Sequence, residues 1–107
     1  MWLKDALSGL RLGRREGFRP LRDGAVFLAQ AGSMYCIDGA SDVNEAIEEM
    51  SRRLPFPVSL LGVIQTRDID AALLFWHHRF RRRRHRDNWF ALSDDDIEEF
   101  RAQSWTF

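Results

Sequence analysis

The sequence concentrates positive charge and imidazole groups in one stretch. Six of the eight residues from Arg79 to Arg86 are arginine, and His77, His78 and His85 lie within or beside them. Guanidinium groups bind phosphate oxygens, and a histidine that titrates near neutral pH can act as a general base. The stretch therefore predicts contact with phosphate groups, with His77 as the candidate for proton transfer.

The candidate nucleic-acid-binding residues are the arginines of this stretch: Arg79, Arg81, Arg82, Arg83, Arg84 and Arg86. Exposed ion pairs stabilise a protein by only about 0–1 kcal/mol each, so stability alone does not account for such density. Trp76, Trp89 and Phe90 lie nearby in the sequence and could stack with bases. The alternative explanation is a solvated helix end whose arginines pair with the acidic residues of 94–99.

The sequence predicts no metal site and no disulfide. His77 and His78 are adjacent, so their side chains would point about 100° apart on a helix, and neither Cys-x-x-Cys nor His-x-x-x-His spacing occurs. Cys36 is the only cysteine, which excludes an internal disulfide and favours a reducing, cytoplasmic compartment. We expect Cys36 to be a small buried side chain, because no partner base can be assigned to it.

The elements that hold these residues follow from the spacing of apolar side chains. After the N-cap Asp68, apolar residues recur every three or four positions to Phe80 and spread over most of the circumference, which predicts a helix buried between two layers. The apolar run 58–64, VSLLGVI, predicts a central strand covered on both faces. Two shorter runs, 25–29 and 33–37, have the spacing of a hairpin.

Two further helices complete the predicted order. Residues 42–54 show one apolar stripe after the N-cap Asp42, and Ser93 begins a last helix with acidic residues in its first turn. The order predicts an α/β (α+β) fold, with a small mixed sheet of three to four strands flanked by helices. We expect residues 24–107 to form this domain and residues 1–23 to form an amphipathic, basic N-terminal arm with helical character.

Length and composition limit the classes of function. The chain has 107 residues, 45% of them hydrophobic and 30% charged, with a net charge of zero, so it can bury one core without disulfides or metal. No apolar run approaches the ~20 residues of a membrane span, so we expect no membrane association. Apolar side chains of the arm, Trp2, Leu3 and Leu7, and of the tail, Trp105 and Phe107, leave open a protein partner or a homodimer.

Landmarks along residues 24–101 follow a characteristic order. They are Val26-Phe27, Cys36-Ile37-Asp38, the helix 42–54, the strand VSLLGVI, His77-His78-Arg79-Phe80, the basic stretch Arg81 to Arg86, and Asn88-Trp89-Phe90. This order resembles the GIY-YIG nuclease superfamily, in particular its small branch found in phage and in meiotic-type proteins. The strongest markers are His77-x-x-Phe80, Arg84 and Trp89-Phe90. The resemblance implies a GIY-YIG-like fold and, for active members, metal-dependent cleavage of DNA.

The resemblance also places inert residues where the family carries catalytic groups. The matched positions are Phe27 for the first tyrosine, Cys36 for the second tyrosine or a lysine, Asp38 for a glycine, Ala46 for the helix arginine, Leu73 for an acidic residue and Asn88 for a glutamate. Phenylalanine has no hydroxyl, alanine no cation and leucine no metal ligand. The resemblance therefore implies a catalytically inactive domain without a cofactor, binding nucleic acid or a protein partner.

The alternative is an active, divergent endonuclease. It would use His77 and Tyr35 with a relocated carboxylate, Asp38 or Asp87, and a divalent ion such as Mg²⁺ or Mn²⁺. This alternative requires the retained histidine, the tyrosine and a carboxylate to lie close together.

Overall fold

Five antiparallel strands form the centre of the fold. A computed structural model of the chain describes residues 20–104. The strands are β1 (Gly24–Ala31), β2 (Met34–Ala40), β3 (Val58–Thr66), β4 (Arg84–Arg86) and β5 (Trp89–Phe90). Their order in the sheet is β3-β1-β2-β5-β4, and every pairing is antiparallel.

Three helices cover this sheet. They are α1 (Val43–Arg53), α2 (Ile69–Arg79) and α3 (Asp94–Ala102), and a short 3-10 helix, Arg81–Arg83, follows α2. The predicted α+β class is confirmed. The sheet has five strands instead of three to four, because the end of the arginine stretch forms β4 and pairs with β5. The sheet is antiparallel instead of mixed, because β1 also pairs with β2 and β3 in antiparallel fashion, and so does β2 with β5.

Strand β1 lies between β3 and β2 in the sheet and is buried on both faces. Val26 and Leu28 belong to a core shared with α2 and α3, and we call this the α2-side core. Phe27 and Ala29 point the other way, into a core shared with α1, the α1-side core. This alternation follows from the two-residue period of a strand.

The prediction that VSLLGVI is the central strand is wrong. These residues form most of β3, which pairs only with β1 and lies at one edge of the sheet. Leu61 and Val63 still pack against the two cores, whereas Leu60 is 41% exposed. A continuous apolar run arises here because both faces are partly covered, although one edge of the strand has no neighbouring strand within residues 20–104.

The prediction that α2 is buried between two layers is also wrong. Trp76 packs against Phe80 and Phe100 in the α2-side core, with ring centroids 5.6 and 4.8 Å away. The opposite face of α2 is open, and Leu74 and Phe75 are 46% and 44% exposed. The apolar residues on this face therefore exceed what the sheet covers.

The predicted N-terminal arm lies outside the described residues except for positions 20–23, and the tail 105–107 lies outside them as well. Arg22 fixes the entry of the chain to the start of α2. Its carbonyl oxygen accepts a hydrogen bond from the Ile69 amide at 2.9 Å, and its guanidinium forms an ion pair with Asp70 at 2.8 Å. Within residues 20–104, no helix has the length and apolar character needed to cross a membrane.

Candidate functional site

The arginine stretch adopts three backbone conformations in succession. It starts at the C-terminal end of α2, continues as the 3-10 helix Arg81–Arg83, and ends as the edge strand β4. Phe80, buried in the α2-side core, fixes the point where α2 ends. All side chains from 81 to 86 are exposed, because guanidinium groups remain hydrated unless they are paired.

Two of the six candidate arginines form ion pairs with α3. Arg79 donates two hydrogen bonds to the carboxylate of Glu99, both at 2.7 Å, and Arg83 donates to Asp96 at 2.9 Å. Burial alone would raise the pKa of Asp96, but hydrogen bonds from Ser93 and the charge of Arg83 outweigh it and hold this pKa below its ordinary value. Asp96 is therefore ionised at neutral pH and neutralises Arg83.

The other four arginines have no carboxylate partner among residues 20–104. Arg81 donates to the His78 carbonyl oxygen at 3.0 Å and Arg84 donates to the Asp87 carbonyl oxygen at 2.7 Å. Arg82 and Arg86 make neither an ion pair nor a side-chain hydrogen bond to any residue of 20–104. The predicted pairing with the acidic residues of 94–99 is thus confirmed for two of the six arginines, and contact of the other four with nucleic acid stays a prediction.

A pocket of about 390 Å³ opens where the stretch bends from α2 into the 3-10 helix. Its lining residues are Arg79, Phe80, Arg81, Arg82, Arg83 and Asp96. Arg79 and Arg83 are paired with carboxylates, so the positive charge of this concave surface comes from Arg81 and Arg82. Such a surface attracts phosphate oxygens more strongly than a flat one, because the field of several cations converges in it.

His77 is held by the backbone of β2. Its Nε2 lies 2.8 Å from the carbonyl oxygen of Ile37, and its ring meets the Phe90 ring edge-on at 5.0 Å between centroids. A carbonyl oxygen only accepts hydrogen bonds, so Nε2 carries the hydrogen and Nδ1 is the only nitrogen left to take a proton. This is the arrangement of a half-buried structural histidine.

Asp38 does not join His77 and Tyr35 in one site. Tyr35 packs against the α2-side core, on the same face as His77, and its hydroxyl accepts a hydrogen bond from Gln30 at 3.4 Å. Asp38 lies on the opposite face of β2, among residues of α1. The sheet therefore separates the carboxylate of Asp38 from His77 and Tyr35.

The positions matched to the family's catalytic residues are divided between the two cores. Phe27 is 1% exposed in the α1-side core, and Ala46 packs against the same core. Leu73 packs against the α2-side core. Burial, together with the nearby charge of Asp38, raises the pKa of Cys36 to about 12. No group of three His, Cys, Asp or Glu side chains within residues 20–104 could hold a metal ion.

A second pocket, of about 320 Å³, lies beside the turn between β4 and β5, and we call it the turn pocket. Its lining residues are Cys36, Asp38, Met50, Arg53, Leu54, Asp87, Asn88 and Trp89. Three of these, Cys36, Asp38 and Asn88, are positions at which the sequence departs from the family pattern. The sequence did not predict that Arg53 and Met50 line this pocket, because only the packing of α1 against β2 brings them beside Cys36 and Asp38.

Comparisons with models of known protein families, with curated proteins and with solved structures found no match for this chain.

Proposed function

We propose that this chain is a GIY-YIG-like domain that has lost its nuclease activity and binds nucleic acid through the unpaired part of its arginine stretch. The observation that carries the proposal is the division of the arginines. Arg79 and Arg83 are neutralised by α3, whereas Arg81, Arg82, Arg84 and Arg86 face solvent without a carboxylate partner among the described residues.

The unpaired arginines suit a polyanion for reasons of charge and shape. They occupy consecutive elements, the 3-10 helix and β4, so their guanidinium groups follow one another along an exposed part of the chain. Each can replace a counterion condensed on a nucleic acid backbone. The pocket lined by Arg81 and Arg82 adds a concave place for one phosphate.

Loss of catalysis is supported by the side chains at the matched positions. The phenyl ring of Phe27 is packed inside the α1-side core, and the methyl group of Ala46 carries no charge. His77 donates its Nε2 hydrogen to the backbone. An oxyanion formed on phosphorus would find no cation at Ala46 and no hydroxyl at Phe27. The lone, buried thiol of Cys36 fits the proposed cytoplasmic location.

Binding can be tested by fluorescence anisotropy with labelled duplex DNA, single-stranded DNA and RNA. Four phosphate contacts predict a slope of log K against log salt of about −3.6 for the duplex, or a loss of about 150-fold between 50 and 200 mM NaCl. The variant Arg81→Ala, Arg82→Ala, Arg84→Ala, Arg86→Ala should bind at least a hundredfold more weakly at about 0.1 M salt. Absent or salt-insensitive binding of every nucleic acid would refute the proposal and favour a protein partner.

The catalytic part of the proposal needs a separate assay. Supercoiled plasmid incubated with the protein and Mg²⁺ or Mn²⁺ should stay intact across about pH 6 to 9. Nicking that disappears in the His77→Ala variant would show that the domain is an active endonuclease. A control nuclease in the same buffers checks that the plasmid can be cut.

A further inference from the structure

We infer that the turn pocket binds an unpaired guanine base of a single-stranded nucleic acid. The inference rests on the proposed function and specifies the class of ligand. The turn pocket lies next to the unpaired arginines in the chain, but its lining is largely apolar and acidic.

The turn pocket and the arginine stretch share one structural unit. Asp87 and Asn88 line the pocket and form the turn that joins β4 to β5. The Asp87 carbonyl oxygen accepts a hydrogen bond from Arg84 at 2.7 Å, and Arg86 pairs with Trp89 across the two strands. Cross-strand partners lie on the same face of a sheet, so Arg86 lies on the face of Trp89, which lines the pocket. A strand with a phosphate on Arg86 would therefore hold a neighbouring base at the mouth of the pocket.

The walls of the turn pocket combine apolar surface with a few polar groups. Met50, Leu54 and the indole of Trp89 supply the apolar part. Arg53 supplies hydrogen-bond donors and Asp38 supplies acceptors. A volume of about 320 Å³ falls in the range of sites for small organic ligands, which are typically apolar with a few placed polar groups.

The charges of the turn pocket exclude a phosphate as its natural occupant. The carboxylates of Asp38 and Asp87 would repel an anion, and Arg53, the one cation of the lining, already lies 3.9 Å from Glu49. A resident metal is not indicated either, because the residues of 20–104 provide no group of three ligand side chains. A neutral, planar ligand with N–H groups at one edge fits this lining better than an ion.

Guanine has the matching edge. Its N1–H and N2–H groups lie side by side, so one carboxylate can accept both, and its O6 can accept from an arginine. The Oδ1 atom of Asp38 accepts from the Gly39 amide at 2.7 Å, while Oδ2 makes no hydrogen bond within the described residues. Adenine and thymine do not present two adjacent donors. In a duplex this edge is occupied by base pairing, so the ligand must be unpaired.

The test uses labelled oligothymidylates of equal length and charge that differ only at one central position. The central residue is deoxyguanosine, N1-methyldeoxyguanosine, an abasic site or thymidine. Because a bidentate base contact discriminates by roughly tenfold or more, the wild-type protein should bind the deoxyguanosine oligomer about tenfold more tightly than the other three. The N1-methyl oligomer removes one donor without any change in the protein.

Two variants with the same change in charge complete the test. Asp38→Asn should abolish the preference for deoxyguanosine, although it lowers the repulsion of every oligomer. Asp95→Asn, exposed on α3, should keep the preference. Thermal melting of both variants checks that they fold. The readout is the ratio of affinities for two oligomers, so a general change in electrostatics does not alter it.

Each other outcome overturns the inference in a distinguishable way. Equal, salt-dependent binding of all four oligomers would refute the guanine site and leave the proposed function intact. Absence of binding to every oligomer and to duplex DNA would refute both. A preference that survives in Asp38→Asn would place the base elsewhere. Competition by N-acetylarginine methylamide but not by guanosine would show that the pocket takes a cationic side chain of a protein partner.

Discussion

Replacing Arg82 and Arg86 by alanine separates binding from folding. Both side chains are exposed and make no contact through their guanidinium groups within residues 20–104, so the free energy of unfolding should change by less than about 0.5 kcal/mol. If each contacts one phosphate of a duplex, the salt slope should fall by about 1.8 and the affinity at 0.1 M salt should fall about 60-fold.

The double variant Arg79→Ala, Arg83→Ala is the matched control, since it removes the same two charges. These side chains pair with Glu99 and Asp96 and are half exposed. Their loss should lower the free energy of unfolding by about 1 kcal/mol in total, or the melting temperature by about 4–8 °C. The salt slope should fall by less than about 1, because these guanidinium groups release few counterions on binding.

The assay combines anisotropy titrations at several salt concentrations with melting followed by circular dichroism. The wild-type protein and the two double variants each yield a slope and a melting temperature. Equal losses of affinity in the two variants would mean that the number of charges matters and their pairing does not. A larger loss for Arg79→Ala, Arg83→Ala would refute the assignment of those two residues to folding.

Three further substitutions or conditions test the packing around the site. Gly39→Ala should destabilise the fold by about 1–3 kcal/mol with an unchanged urea m-value, because the added Cβ would lie 2.3 Å from the Ile69 side chain. The Cys36 thiol, with its pKa raised from 9.0 to about 12, should react with Ellman's reagent about a thousandfold more slowly than an unfolded thiol at pH 8. The stability that the neutral thiol contributes should be full below about pH 9 and should disappear as the pH rises towards 12. This pH dependence of the free energy of unfolding should be absent in Cys36→Ala. His77→Ala should lower the free energy of unfolding by about 1–3 kcal/mol, because the Ile37 carbonyl oxygen loses the hydrogen bond from His77. The salt slope of nucleic-acid binding should not change. A changed salt slope with an unchanged free energy of unfolding would assign His77 to binding.

Local signals in the sequence predicted the helices well. Asp42, Asp68 and Ser93 each accept a hydrogen bond from the backbone amide three residues later, as their positions before apolar stripes predicted. At Ser93 the bond is reciprocal, because Asp96 accepts from the Ser93 amide at 3.0 Å. These contacts span three residues, so the sequence contains everything that determines them.

The order of strands could not be predicted in this way. An edge strand and a central strand can both appear as a continuous apolar run, and only the pairing of β1 with β2 and β3 decides which is central. The arginine stretch resembled a helix end throughout. It becomes a strand at Arg84 because the turn at Asp87, which has a φ of 50°, reverses the chain and lets β5 pair with it.

The distribution of the arginines in the site depended on contacts that are distant in the sequence. The sequence grouped all six together, since they have the same charge and lie within eight positions. Their separation into paired and unpaired sets follows from where α3 packs. That packing brings Glu99, 20 residues away, to Arg79 and brings Asp96, 13 residues away, to Arg83. No local pattern specifies these pairs.

Protection of a sheet edge is the remaining structural explanation for the arginines of β4. Charged side chains on edge strands prevent pairing with other chains, and β4 is an edge strand of three residues. Among residues 20–104, the opposite edge of the sheet is β3, which is nine residues long, has no charged residue and exposes Leu60. If edge protection governed the placement of charge, the longer and more apolar edge would need it more. The arginines lie instead at the short edge, which directly follows the 3-10 helix of Arg81 and Arg82 in the chain. Under the proposed function, phosphate binding accounts for the density of these charges, whereas edge protection accounts only for their place on an edge strand.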